Sequence, residues 1–212
     1  YDFIRSVAPD AEHFDLFLYP DDYHNLKVLM KNEYLNKDET DILVDTGTID
    51  LKLLKNALKE RNFSELTENM GKALNEVIEE FPKTKDPQLI DIIFDRYCFD
   101  EMLKAAEKTN NEFIIDYVKM QIDANNIKTY VRLKKMKKSW DFFSKVFLQG
   151  GNIHDHIFIR NYDEPFEKFG ELLLAYDFKE VFLEGTEALA ETGKFTKLEK
   201  LLDNKIMEHV KS

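Results

Sequence analysis

Asp22-Tyr23-His24-Asn25-Leu26-Lys27 returns 101 residues further on (22 to 123) as Asp123-Ala124-Asn125-Asn126-Ile127-Lys128. The shared pattern is Asp, two variable residues, Asn, Leu or Ile, Lys. A phrase repeated at that interval marks a duplicated helical module, and a duplication decides architecture before any local pattern does. On a helix, Asp22 and Asn25 share a face, as do Asp123 and Asn126. Leu26, Leu29 and Met30 then form the buried stripe of the first copy, matched by Ile127, Tyr130 and Val131 in the second. A buried amide must be hydrogen-bonded, so Asn25 and Asn126 are expected to bond the backbone of a neighbouring helix and fix how the two seat. Lys27 and Lys128 are expected on the outer side, or snorkelling along it. The alternative is that these polar groups face a partner.

The repetition extends outward. Gly47-Thr48-Ile49-Asp50 matches Gly151-Asn152-Ile153-His154 at an offset of 104 (47 to 151), and Phe94-Asp95-Arg96 matches Leu202-Asp203-Asn204 at 108 (94 to 202). The drifting offset places small insertions in loops. On this count residues 1–85 hold an incomplete first module, 86–192 a second, and 193–212 the opening helix of a third. The chain begins at Tyr1 without an initiator Met, and both ends look cut from a longer protein.

Apolar residues recur at helical spacing almost throughout. Leu66, Met70, Ala73, Leu74, Val77, Ile78 and Phe81 make one face of a helix, with Ser64 expected as its N-cap and Pro82 as its stop. Asp86 caps the next helix and Pro87 opens it. Asn110-Asn111 and Gly150-Gly151 break the pattern, Ser139 caps a short aromatic helix, and Asp163 with Pro165 opens another. The last helix runs from Phe195 to Val210. Phe14–Tyr19 and Ile157–Ile159 are the nearest approach to strands, and both are short. The fold class read from this is all-α, built of repeated helical-bundle modules.

The 212 residues are 43% hydrophobic and 33% charged, which is a globular composition. Seventeen Phe and nine Tyr against seven Gly and five Pro favour long elements and few turns. The net charge of −11 excludes a general nucleic-acid binder, since phosphate binding needs a basic face. It also opposes wholesale adsorption to an anionic membrane, though a local basic patch still acts. The lone Cys98 forms no intrachain disulfide and reads as core. Asp95, Asp100 and Glu101 lie close to it in sequence. No apolar run approaches the roughly 20 residues that span a bilayer.

One basic island stands out: Lys128, Arg132, Lys134, Lys135, Lys137 and Lys138, with no acid among them. It is either a solvated helix end, where cations favour the dipole, or a candidate interface for anionic headgroups or a partner's acidic loops. Trp140, Phe142, Phe143 and Phe147 are expected in the core, with an exposed docking patch as the alternative. His154-Asp155-His156 invites a metal reading and, with it, a helical hydrolase. Ligands two apart converge only on an extended segment, however, and no third ligand is near in sequence. There is no Gly-Lys-Ser/Thr phosphate loop and no Gly-x-Ser-x-Gly nucleophile turn. No catalytic residue, metal or cofactor is assigned.

Four phrases resemble the C subunits of the A/V-type rotary ATPases, the family whose eukaryotic counterpart is the d subunit. They are Asp22–Lys31, Phe94-Asp95-Arg96-Tyr97, Asp123–Arg132 and Leu148-Gln149-Gly150-Gly151, and they occur in the family's order and at its separations. The resemblance implies three similar helical modules arranged as a funnel. The family's first helices would precede Tyr1, and most of its third module would follow Ser212. It also implies a non-enzymatic role at the cytoplasmic end of the membrane rotor ring, peripheral and in single copy. There such a protein receives the central shaft and couples its rotation to proton or sodium transport. The implied partners are the shaft subunits and the proteolipid ring, with membrane association indirect. The alternative is a generic α-helical repeat scaffold for protein–protein interaction.

Overall fold

Side-chain caps set the helix starts. Asp50 accepts from the amides of Lys52 and Leu53 at 2.7 and 3.3 Å and opens α2, Leu51–Glu60. Asp86 accepts from Gln88 at 2.9 Å ahead of Pro87 and opens α4, Pro87–Lys108. Asn111 accepts from Phe113 at 3.0 Å and opens α5, Glu112–Lys135. Each satisfies amides that the first helical turn leaves without partners. Between α2 and α4 lies α3, Glu68–Thr84. Its cap is Thr67, whose hydroxyl accepts from Met70 at 3.2 Å, and not Ser64. The polar residue immediately before the helix wins over one three positions earlier. Pro82 does not stop α3, which runs to Thr84 and ends on Lys85 in the left-handed region, φ 52°. A proline in the last turn forfeits a single amide bond there, so the helix tolerates it.

The structure is a computed structural model that describes residues 11–211. Among the described residues there are ten α-helices and no strand, so the all-α reading holds. The segment around Phe14 falls in a 3-10 turn, Ala11–Phe17, leading into α1, Tyr19–Leu35; Ile157–Ile159 lies inside α7, Asp155–Arg160. The remaining helices are α6 (Trp140–Val146), α8 (Phe166–Leu172), α9 (Lys179–Thr192) and α10 (Thr196–Lys211). No described helix is long and apolar enough to cross a membrane.

The chain divides between Asn110 and Asn111 into two compact units. The modules read from the repeat, 1–85, 86–192 and 193–212, follow the order of phrases along the chain, whereas these units follow packing. Residues 1–10 and 212, at the outer edges of those modules, lie outside the described residues. Helix α4, which the repeat count made the start of a module, packs on α1 and α3 and so completes the first unit. Helix α10 does the same for the second, against α5 and α9. The first unit buries Tyr23, Leu26, Met30, Leu54, Met70, Leu74, Val77 and Phe94. The second centres on Tyr130, whose ring stacks on Phe169 at 4.3 Å and meets Phe143, Phe158 and Tyr162 edge-on at 5.5–5.8 Å. Such pairs add to burial by orienting the rings. Cys98 is buried in the first unit. Burial, and then Asp95, push its thiol well above the ordinary range.

Candidate interaction site

In the first unit, Asp22 and Asn25 on α1 hold the loop that enters α2. The amide of Asn25 donates to the carbonyl of Val44 at 2.8 Å, and its oxygen accepts from the amide of Val44 at 3.0 Å. One carboxylate oxygen of Asp22 accepts from the amide and hydroxyl of Thr48, at 2.9 and 2.7 Å. The other accepts from the amide of Ile49 at 3.0 Å. Both side chains are fully buried. A Cβ on Gly47 would collide with the carboxylate of Asp22, so the loop passes this close only because residue 47 is glycine.

The second unit repeats the clamp. Asn126 on α5 donates to the carbonyl of Leu148 at 2.8 Å and accepts from its amide at 2.9 Å. Asp123 accepts from the amides of Asn152 and Ile153, each at 3.0 Å. A Cβ on Gly151 would strike Asp123. The two repeated phrases, Asp-x-x-Asn and Gly-x-Ile, thus meet within each unit. The expectation that Asn25 and Asn126 bond a neighbouring helix needs correcting. Their partners are loop residues, because a helix interior has no free amide and carbonyl to offer a side-chain amide, whereas a loop does. Burial pushes the Asp22 carboxyl upward, and it pushes Asp123 up to about 6 against the donated amide bonds.

The third repeated phrase closes on the same helices. Lys27 pairs with Asp95 on α4, and Lys31 with Asp91 one turn away at 2.6 Å. In the second unit Lys128 pairs with Asp203 on α10 at 2.7 Å, and Arg132 with Glu199. Lys27 and Lys128 are therefore not free outer cations; each is held by the helix packed beside it. Sequence reasoning also missed Glu101, which accepts from the Tyr23 hydroxyl at 2.6 Å and from Thr67 at 3.0 Å. No repeated spacing announced it.

The basic island separates into two sets. Lys128 and Arg132 are committed to α10. Lys134 donates to the carbonyl of Glu164 and lies over the rings of Phe166 and Tyr130, at 5.0 and 5.1 Å; burial pushes its ammonium downward. Lys135, Lys137 and Lys138 are exposed, with no ion pair among the described residues. Beside them Met136 and Trp140 are 57% and 48% exposed. The aromatic group expected in the core therefore divides: Phe143 and Phe147 are buried, Phe142 is packed against the core, and Trp140 faces outward. The rings of His154 and His156 stack at 5.8 Å. Among the described residues, no three His, Cys, Asp or Glu side chains are grouped to hold a metal ion.

Comparison with known proteins gives a consistent result. A family model described as ATP synthase (C/AC39) subunit matches residues 1–212. The chain is 25% identical over 181 residues to the C subunit of the V-type sodium ATPase of Enterococcus hirae, covering 85% of this chain and 55% of the relative. It is 24% identical to the C subunit of the V-type ATP synthase of Thermus thermophilus, covering 74% and 49%. To the C subunit of the A-type ATP synthase of Methanobrevibacter smithii it is 26% identical, covering 71% and 42%. The chain spans about half the length of these curated relatives.

Proposed function

The chain belongs to the ATP synthase (C/AC39) subunit family, and from that premise we propose that it is a non-catalytic central-stalk component of a V/A-type rotary ATPase. In this reading it links the rotating shaft to the membrane proteolipid ring, and so couples ATP hydrolysis or synthesis to proton or sodium transport. It sits in single copy on the cytoplasmic face, peripheral to the membrane and held there through the complex. The observation that carries the reading is the family match over residues 1–212. The structure supports it physically. A coupling element must resist deformation, and each unit has its loop pinned to a core helix by buried side-chain hydrogen bonds. Buried polar groups that are fully satisfied lock one arrangement in place.

Co-purification tests this. The protein carrying this chain is tagged in its native membranes, extracted in mild detergent and recovered. Elution of ring and shaft subunits together, at one copy of this chain per complex, is the expected result. Clean recovery without any rotary ATPase subunit sinks the rotor reading and leaves a helical scaffold with other partners.

A further inference from the structure

The turn between α5 and α6, residues 135–140, has an internal control in the first unit. At the end of α1, Asn36 takes the left-handed conformation, φ 51°, and the amide of Lys37 bonds the carbonyl of Asn32 at 3.1 Å. At the end of α5, Lys137 takes it, φ 57°, and the amide of Lys138 bonds the carbonyl of Leu133 at 2.9 Å. The offset is 101 in both cases (36 to 137, 32 to 133), so these are the same turn. The residues after the turn differ between the units. The first unit continues Asp38-Glu39, with Lys37 paired to Glu39 at 2.9 Å. The second has Ser139-Trp140, preceded by Lys135, Met136, Lys137 and Lys138. The first unit forms this turn with Tyr34, Asn36 and Glu39 where the second has Lys135, Lys137 and Trp140, so closing it requires neither those two lysines nor the indole; Lys138 alone has a lysine, Lys37, at the matching place. Lys135 lies in the last turn of α5, where the helix dipole favours a cation, but Lys137 and Lys138 lie beyond it, and α1 ends without a basic residue in its last turn.

From this contrast we propose that the Lys135–Trp140 corner is a docking surface for anionic lipid headgroups at a membrane surface. The pattern fits that chemistry on two counts. Lys135, Lys137 and Lys138 are exposed ammonium groups without ion-pair partners among the described residues, suited to phosphate and carboxylate headgroups. Trp140 and Met136 expose an indole and a thioether within the same six residues, and such groups favour the boundary between headgroups and acyl chains. A purely acidic protein segment would match the lysines and leave the indole in water; one that also carries apolar residues is the competing occupant. The nearby acids do not cancel the corner: Glu164 is engaged by Lys168 at 2.7 Å, which leaves Asp141, Asp163 and Glu167 against Lys135, Lys137, the partly buried Lys134, and Lys138, which lies over the Phe142 ring at 5.5 Å. Each cation near such a surface strengthens partitioning roughly fivefold, so three give on the order of a hundredfold. The chain's charge of −11 works against this, which confines binding to the corner.

Trp140 is the chain's one tryptophan, so its fluorescence reports on the corner alone. The 212-residue chain is titrated with vesicles of phosphatidylcholine alone, and with vesicles containing about 30% phosphatidylserine. A blue shift, quenching by bromine-labelled acyl chains, and at least about tenfold tighter partitioning to the anionic vesicles are expected. Raising salt to about 0.5 M should weaken the effect. K135E/K137E/K138E, checked for unchanged helical circular dichroism, should lose it. No shift with anionic vesicles, equal binding to neutral ones, or binding that survives the triple reversal overturns the proposal. Tighter binding of a Glu/Leu-rich peptide than of vesicles also overturns it and assigns the corner to a protein segment. The inference does not rest on the rotor reading. Vesicles test the corner and co-purification tests the complex, so either can fail alone.

Discussion

Among single residues, the glycines of the clamped loops are the ones whose missing Cβ makes room for a buried carboxylate. Gly151 is needed because its missing Cβ is where the Asp123 carboxylate sits, whereas Gly193 is needed only for its φ of 70°, with open space around it. Gly151→Ala should therefore cost about 2–3 kcal/mol in urea unfolding, as overpacking against a fixed buried group does, and Gly193→Ala about 1 kcal/mol. Equal costs at the two sites would show that the loop yields instead. Asp123 makes a second prediction. Burial raises its carboxyl to about 6 from an ordinary 3.8. Between those values the native state holds a proton that the unfolded chain releases, so the stability this group contributes falls as pH rises from about 4 to about 6 and is level above. A carbon-13 titration of the Asp123 carboxyl should show a midpoint near 6; a midpoint at the ordinary value would remove the effect. Asp, Asn and Gly were visible as repeated letters. That the Asp receives the amides next to the Gly was not, because the sequence holds no distance between residues 123 and 152.

Between helices, two kinds of contact hold each repeat, and their strengths differ. The pairs of α1 with α4 and of α5 with α10 join partly exposed groups; Asp203, for one, has a side chain 63% exposed. Water and salt screen such a pair, so a Lys128→Ala/Asp203→Ala double-mutant cycle should give a coupling below about 1 kcal/mol that shrinks with added salt. Asn126 is fully buried and satisfies both polar groups of Leu148. Asn126→Ala strands an amide and a carbonyl, and should cost about 2–4 kcal/mol by thermal or urea unfolding. If the ion pair proves the stronger of the two, the clamp is not what holds the loop. The caps at Asp86 and Ser139 were legible because capping is local chemistry. Ser64 and Pro82 misled because several residues near a boundary satisfy the same local rule, and only the realised backbone selects among them.

At the scale of the molecule, each compact unit has a core of its own, and in the second it is the aromatic cluster around Tyr130. Residues 111–212 expressed alone should give a helical circular dichroism spectrum and a single cooperative unfolding transition. A fragment that stays unfolded would mean its core depends on the rest of the chain. The placement of the boundary at 110/111 reflects which helices share buried side chains. The repeat count used only the order of phrases along the chain, so it could start a module at any helix. It began one at α4, which packs on α1 and α3 in the first compact unit.

By itself the sequence determined that the chain is helical, that it repeats, and which family it resembles, because periodicity, caps and recurring phrases are written along the chain. Only the tertiary structure decided that the three repeated phrases converge in each unit: Asp on the loop amides, Asn on a loop residue ahead of the glycine, Lys on a helix distant in sequence but packed alongside. It also decided that the six-residue basic island is half structural and that Trp140 faces outward. These are facts of proximity and exposure. They arise when apolar faces are buried together and the polar groups carried with them must find partners or face water.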